Sequence, residues 1–133
     1  MFFEDLPDNL RQSAYPLIEE LGTNEFAWAY EDVKQVVSYL ADHHYAILGG
    51  DVLEKRQGRF EYTYDNWSHN RGERVEWDDY VVQCREKTQA YIDWYRGAFG
   101  DGYYYVPVPA NESEWDELIA LEKARQRARQ ERG

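Results

Sequence analysis

The chain has 133 residues, 43% hydrophobic and 17% aromatic, with 26 acidic residues against 15 Lys and Arg for a formal net charge of −11. That length fits one domain able to bury a core without disulfides or metals, and the aromatic content argues against disorder. The charge has the wrong sign for a duplex nucleic-acid binder, which must replace counterions around phosphates, and no run approaches the roughly 20 apolar residues needed to span a bilayer.

Residues 1–54 hold 11 acids and two bases, Arg11 and Lys34, so the acidity is concentrated in the first half. Leu10 to Leu21 is expected to form a short helix, interrupted by Pro16 and stopped by Gly22. A clearer helix follows over about Glu31 to His43. Val33, Val36, Val37 and Leu40 recur at i, i+3, i+4, i+7 and make one apolar stripe, while Glu31 and Asp32 occupy the first turn, where the helix dipole favours them. Tyr45 to Leu48 reads as a buried strand, carried through Gly49-Gly50 into Asp51-Val52-Leu53. Gln57-Gly58 is a turn signal. Beyond it Phe60, Tyr62 and Tyr64 alternate with Glu61, Thr63 and Asp65, so the two strands are expected to form a hairpin.

The strongest periodic signal is Trp77, Tyr80, Val81, Cys84, Thr88, Tyr91 and Tyr95, helical spacing sustained over five turns and ended by Gly97, Gly100 and Gly102. Tyr103 to Pro109 reads as a strand. Pro107 has no amide donor, which places this strand at a sheet edge or at a bulge. From Asn111 to Arg132 a last helix is expected, with Ser113 as N-cap and Trp115, Leu118 and Ile119 as a short apolar face. Its charges are segregated: five acids and no base in residues 111–122, five bases and one acid in residues 123–133. Beyond Lys123 it has no apolar face, and fraying or disorder is expected. The elements together predict an α+β domain over residues 1–110, a small antiparallel sheet with helices packed mainly on one face, followed by a charged helix or tail over residues 111–133.

No constellation selects an enzymatic mechanism. Asp42-His43-His44 sets candidate metal ligands side by side, but neighbours on a helix point about 100° apart and converge poorly. Cys84 lies on the expected core face of its helix, where cysteine acts as a small apolar filler. Gly49-Gly50-Asp51 sits inside a strand and matches no phosphate-binding loop. Glycine in that position marks a bulge or a close backbone approach, and Asp51 beside it points to solvent or bonds local amides. The paired acids Glu19-Glu20, Glu31-Asp32 and Asp78-Asp79 read as solvated faces. The basic run from Lys123 to Arg132 has no interleaved aromatics for stacking on RNA and reads as a solvated tail. No metal and no cofactor is expected.

The aromatic residues suggest something else. Five Trp and 12 Tyr exceed what a core of this size needs, and Trp28, Trp67, Trp94 and Tyr103 to Tyr105 are not all expected to face inward. Tyr and Trp concentrate binding energy at protein interfaces. An acidic surface carrying aromatic anchors suits a basic protein partner. The lone Cys84 excludes an intramolecular disulfide framework and fits a reducing compartment. Met1 to Pro7 has two acids and no basic region of the secretory kind. A cytoplasmic location is therefore expected.

The block Tyr45-Ala46-Ile47-Leu48-Gly49-Gly50-Asp51-Val52, preceded by a helix and followed by Asn66-Trp67, resembles the immunity protein 40 family of bacterial polymorphic-toxin and contact-dependent competition systems. The Trp77 to Tyr95 helix, the Tyr103 to Val108 strand and the segment Glu25-Phe26-Ala27-Trp28 also resemble that family's layout, so the likeness covers roughly residues 20 to 108. The tail after Ala110 departs from it. The resemblance implies a small α+β protein that is not an enzyme and that neutralises a cognate toxin domain by stoichiometric binding. Trp28, Asp32, Asp51, Glu54 and Trp67 are the residues expected to meet the toxin, with Gly49 and Gly50 shaping the hairpin. Two rivals remain open on the sequence: a small hydrolase or deaminase-like enzyme built on a carboxylate pair and His69, and an adaptor that pairs an open edge at Tyr103 to Val108 with a partner strand.

Overall fold

The computed structural model describes residues 1–132. The chain begins with two short helices, α1 (Phe2–Asp5) and α2 (Asp8–Gln12), a two-residue strand β1 (Tyr15–Pro16) and a single helical turn α3 (Ile18–Leu21). Pro16 thus splits the expected Leu10 to Leu21 helix in two, and Gly22, at φ 72°, ends the second piece as expected. There follow β2 (Phe26–Ala29), α4 (Tyr30–Asp42), β3 (Ala46–Arg56), β4 (Arg59–Ser68), α5 (Trp77–Phe99), β5 (Tyr103–Ala110) and α6 (Glu112–Arg132). The five strands form one antiparallel sheet in the order β1-β2-β5-β3-β4.

The fold class is α+β, as the sequence indicates. Helices α4 and α5 lie on one face of the sheet. They run antiparallel, since Trp77 at the start of α5 donates through Nε1 to the carbonyl of His44, while Asp93 near its end pairs with Lys34 in α4. The buried side chains of α4 are Val33, Val36, Val37, Leu40 and Ala41. Those of α5 are Trp77, Tyr80, Val81, Cys84, Thr88, Ile92 and Tyr95. They close over Val52, Trp67 and Tyr105 from the sheet and Trp28 from β2. The opposite face carries a smaller core of Leu17, Ala27, Leu53, Phe60 and Val106, partly covered by Leu21 of α3.

The β3–β4 hairpin turns at Gln57 (φ 53°) and Gly58 (φ 77°), the paired left-handed conformation that matches strand twist in two-residue hairpins. The glycines of β3 are explained by close approach. A Cβ at Gly50 would lie 2.3 Å from Cη2 of Trp67 and 2.4 Å from the Val106 carbonyl, and one at Gly49 would lie 2.2 Å from the Trp67 carbonyl. The Trp67 indole therefore lies over Gly50, its register partner, on the face that α5 covers.

Three sequence expectations change. Of the two placements expected for β5, a sheet edge or a bulge, the edge is not found: the strand is third of five, because β2, too short to stand out by pattern, pairs it through Trp28↔Tyr105 and Ala29↔Tyr104. Beyond Tyr105 that pairing has ended, and Pro107 sits next to a register irregularity between Ile47 and Gly49 of β3, which is how a strand inside a sheet tolerates a residue without a donor. The cap of α6 is Asn111, not Ser113. Asn111 Oδ1 accepts from the Glu114 amide at 2.8 Å and Glu114 Oε1 accepts from the Asn111 amide at 2.9 Å, a reciprocal capping box. Finally, α6 stays helical to Arg132, where fraying or disorder beyond Lys123 is expected from its polarity.

Candidate functional site

The five residues expected to meet a partner do not gather at one place. Trp28 is 0% exposed and donates through Nε1 to the Leu10 carbonyl at 2.8 Å, so it is a satisfied core residue with no surface to offer. Trp67 is likewise buried, donating through Nε1 to Thr88 Oγ1 at 2.9 Å and stacking on Tyr91. Both indoles belong to the fold because each finds its polar partner inside it, which removes the usual obstacle to burying tryptophan completely.

Asp51 and Glu54 are three residues apart on β3, so alternation sends them to opposite faces. Asp51 shares the face of Leu53 and is half-buried. Burial holds its carboxyl above the ordinary carboxylate value. Glu25 is raised as well, first by burial and then by the charge of Asp51. The two carboxyl groups therefore oppose one another. Glu54 pairs with Arg56 Nε at 2.9 Å, and Arg56 also reaches Glu61 at 3.7 Å. Asp32 stands in the first turn of α4.

Asp32 and Glu54 share one end of the domain, where α4 begins, α5 ends and the β3–β4 ladder breaks. The break has a clear cause. Asp51 pairs with Asn66 and Leu53 with Tyr62, so Thr63, Tyr64 and Asp65 all stand opposite Val52. The resulting bulge is pinned on both sides of Tyr64. Thr63 Oγ1 donates to the Val52 carbonyl at 2.9 Å and accepts from the Asp65 amide at 3.1 Å, while Asp65 Oδ2 accepts from the Tyr95 hydroxyl at 2.8 Å. Tyr64 itself is driven to φ 70° and left 87% exposed. A bulky aromatic in the left-handed region is a strained residue, and here the strain turns a large ring outward.

Around this bulge runs a groove of about 420 Å³, walled by Glu54, Glu61, Tyr64, Asp65, Phe99 and Tyr103 among others. Phe99 is 52% exposed, and Trp94, with its ring 6.0 Å from that of Phe99, is 58% exposed. A smaller adjoining cleft of about 220 Å³ shares Tyr103 and is lined by Tyr30, Asp32, Arg96 and Asp101. The bases at this end are engaged. Arg96 Nε donates to Asp101 at 2.9 Å and covers the Tyr30 ring. Lys34 Nζ and the Tyr30 hydroxyl both donate to Asp93. Those bonds, that of Lys34 foremost, hold the Asp93 carboxyl below the ordinary value. Arg56 is shared between Glu54 and Glu61, so carboxylates outnumber bases at this end, and they are set between exposed aromatic rings.

The other candidates have structural partners. Burial pushes the Cys84 thiol up to about 11, so it is not the thiolate that a nucleophile requires. His43 stacks on Tyr39, His44 pairs with Asp78, and His69 meets Gln83 Oε1 at 3.1 Å and stacks on Tyr80. Sequence reasoning placed Tyr64 on a regular strand and passed over Phe99. The alternation of Tyr62 and Tyr64 hides the bulge, and only the local-bonding residues Thr63, Asp65 and Asn66 around Tyr64 hint at it.

A sequence model of the immunity protein 40 family matches residues 17–109. No curated protein and no solved structure gives a significant match to the chain. The matched span runs from Leu17 to Pro109. It includes the bulge, the groove and both β3 glycines, and it ends before α6.

Proposed function

The chain belongs to the immunity protein 40 family, whose members have a toxin protein as partner, and from that membership we propose that it neutralises a cognate toxin domain by stoichiometric, electrostatically steered binding through the aromatic groove. The observation that carries this reading is the pairing of exposed Tyr64, Trp94 and Phe99 with the carboxylates Asp32, Glu54 and Glu61 at one end of the domain. Aromatic anchors supply the buried contact that holds a complex together. An excess of carboxylates over bases speeds encounter with a basic surface and disfavours acidic ones. A toxin whose substrate groove is basic would meet here an acidic surface of the charge that its substrate carries. Asp32 and Glu54 keep their places in this surface. Trp28 and Trp67 act beneath it as scaffold.

The test uses the cognate toxin domain. A 1:1 complex is expected on gel filtration, with an association rate that falls steeply as salt is raised. Tyr64→Ala and Trp94→Ala are each expected to weaken binding by about 30-fold, the equivalent of about 2 kcal/mol. Unchanged affinity in both variants, with the fold intact by circular dichroism, would move the interface elsewhere.

A further inference from the structure

We propose that α6 is a self-association helix, which pairs antiparallel with α6 of a second copy of this chain. The helix spans 21 residues and meets the rest of the domain mainly through Trp115, whose ring lies 5.3 Å from that of Tyr80 and 6.3 Å from that of Trp77. From Asp116 to Arg132 it is exposed. A helix of this kind gains little from tertiary packing, which is where most helical stability comes from. Its charges do not compensate within one chain either. None of the ion pairs among the described residues involves α6. Like charges meet one turn apart at Glu112 and Asp116, at Lys123 and Arg127, and at Arg125 and Arg129, and each such pair is destabilising.

An antiparallel copy packed along the Leu118–Leu121 face brings opposite charge to the Arg125–Arg129 pair, which shares that face. A two-fold axis passing between Glu122 and Lys123 sets each acidic half against a basic half, with Leu121 opposite Ala124 of the second copy and the seat-face acids Glu114 and Glu117 beside its Arg125 and Arg129. The seat for that copy is already formed. Leu118 and Leu121 face a groove of about 320 Å³ whose far wall is Leu48 and Val108 of the sheet and whose rim carries Glu114 and Glu117. Leu118, Leu121 and Val108 are all exposed there. The floor is apolar and the rim acidic, which suits the second copy's Arg-rich half with its small Ala124 and Ala128. The helix dipole accounts for acids in the first turn and bases in the last, since its effect falls off within those turns. It does not account for segregation along the whole length. The seat lies at the Ala110 end of β5, away from the aromatic groove at the Tyr103 end, and α6 lies beyond the residues that match the family. Pairing through α6 therefore leaves the proposed toxin surface free, and it is tested without a toxin.

The experiment is sedimentation velocity on the full chain across protein concentration, at low and high salt. A two-chain mass at low salt that falls to one chain at high salt is expected. Two variants extend the test: Arg125→Glu/Arg127→Glu/Arg129→Glu, and Glu112→Lys/Glu114→Lys/Glu117→Lys. Each alone is expected to sediment as one chain. Mixed, they are expected to recover a two-chain species, because both reversed halves then face opposite charge, and that recovery also shows both variants to be folded. The proposal is overturned by a one-chain mass under all conditions, by dimers that survive both reversals, by variants that fail to pair on mixing, or by a basic half that co-sediments with nucleic acid instead of a second copy.

Discussion

Replacing Gly50 with alanine adds a single methyl group and is expected to destabilise the domain by about 3 kcal/mol or more. The added carbon would fall 2.3 Å from Trp67 Cη2 and 2.4 Å from the Val106 carbonyl oxygen, both far inside contact distance. Relief by moving the indole breaks the 2.9 Å bond from Trp67 Nε1 to Thr88 Oγ1 and the stack on Tyr91. It leaves a buried donor and a buried acceptor unpaired, which costs about 1–3 kcal/mol. Relief by moving the backbone opens the β3–β5 ladder at Gly50↔Pro107, and overpacking of this kind costs about 1–3 kcal/mol by itself. Equilibrium urea denaturation followed by tryptophan fluorescence reads the change directly. Gly97→Ala is the internal control. That glycine lies inside α5 with nothing within 4 Å of an added Cβ, so alanine there is expected to stabilise by up to about 1 kcal/mol. A Gly50→Ala protein as stable as the parent would refute the steric account and return the Gly49-Gly50-Asp51 block to a binding role.

Three further outcomes follow from the same geometry. Glu25 and Asp51 both titrate above their ordinary values. The folded state therefore holds their protons more tightly than the unfolded chain, and this contribution is full at low pH and lost as pH rises through the raised values. Asp51→Asn is expected to raise the urea midpoint at neutral pH and to flatten its dependence on pH above the ordinary carboxylate range; an unchanged profile refutes the opposed-carboxyl account. Tyr64→Gly is expected to stabilise the fold by about 1 kcal/mol, since glycine accepts φ 70° without strain and the exposed ring packs on little. The same change is expected to weaken toxin binding, and a loss of stability would show that the ring is structural. Asn111→Ala removes the capping box of α6 and is expected to loosen that helix by about 1 kcal/mol. Faster amide exchange confined to α6, at an unchanged urea midpoint for the domain, is the expected reading.

Much of the scaffold is legible because its signals are long. The valine stripe of α4 and the Trp77 to Tyr95 repeat of α5 each run for several turns, and Gln57-Gly58 marks the one tight hairpin. Short elements were lost for the complementary reason. Strand β2 has four residues and β1 two, too few for any period to show, and without β2 the strand after Gly102 looked like an edge. The family resemblance, by contrast, was legible from the β3 block and is matched over residues 17–109. The proposed site is legible in the sequence only in character. Excess aromatics and an acidic balance pointed to a protein partner, but composition cannot say which rings are buried. Trp28 and Trp67 find indole acceptors at Leu10 and Thr88 through contacts 18 and 21 residues distant, and no local pattern announces such a bond.

The burial of the two tryptophans and the exposure of Tyr64 have a common physical origin. A large aromatic is buried when the fold satisfies both its apolar surface and its polar atom, as for Trp28 and Trp67. It is left outside when the backbone beneath it is over-determined by other bonds. Thr63 and Asp65 are held by Val52 and Tyr95 respectively, so the residue between them has no choice of direction, and Tyr64 is exposed at an expense in strain that its own contacts do not repay. Residues of this kind separate binding from stability. Changes in Trp67 or Gly50 alter the proposed partner surface only by unfolding what lies beneath it. A change in Tyr64 alters the surface while relaxing the fold. The ring at the bulge can thus be exchanged without disturbing the packing of β3 against α5.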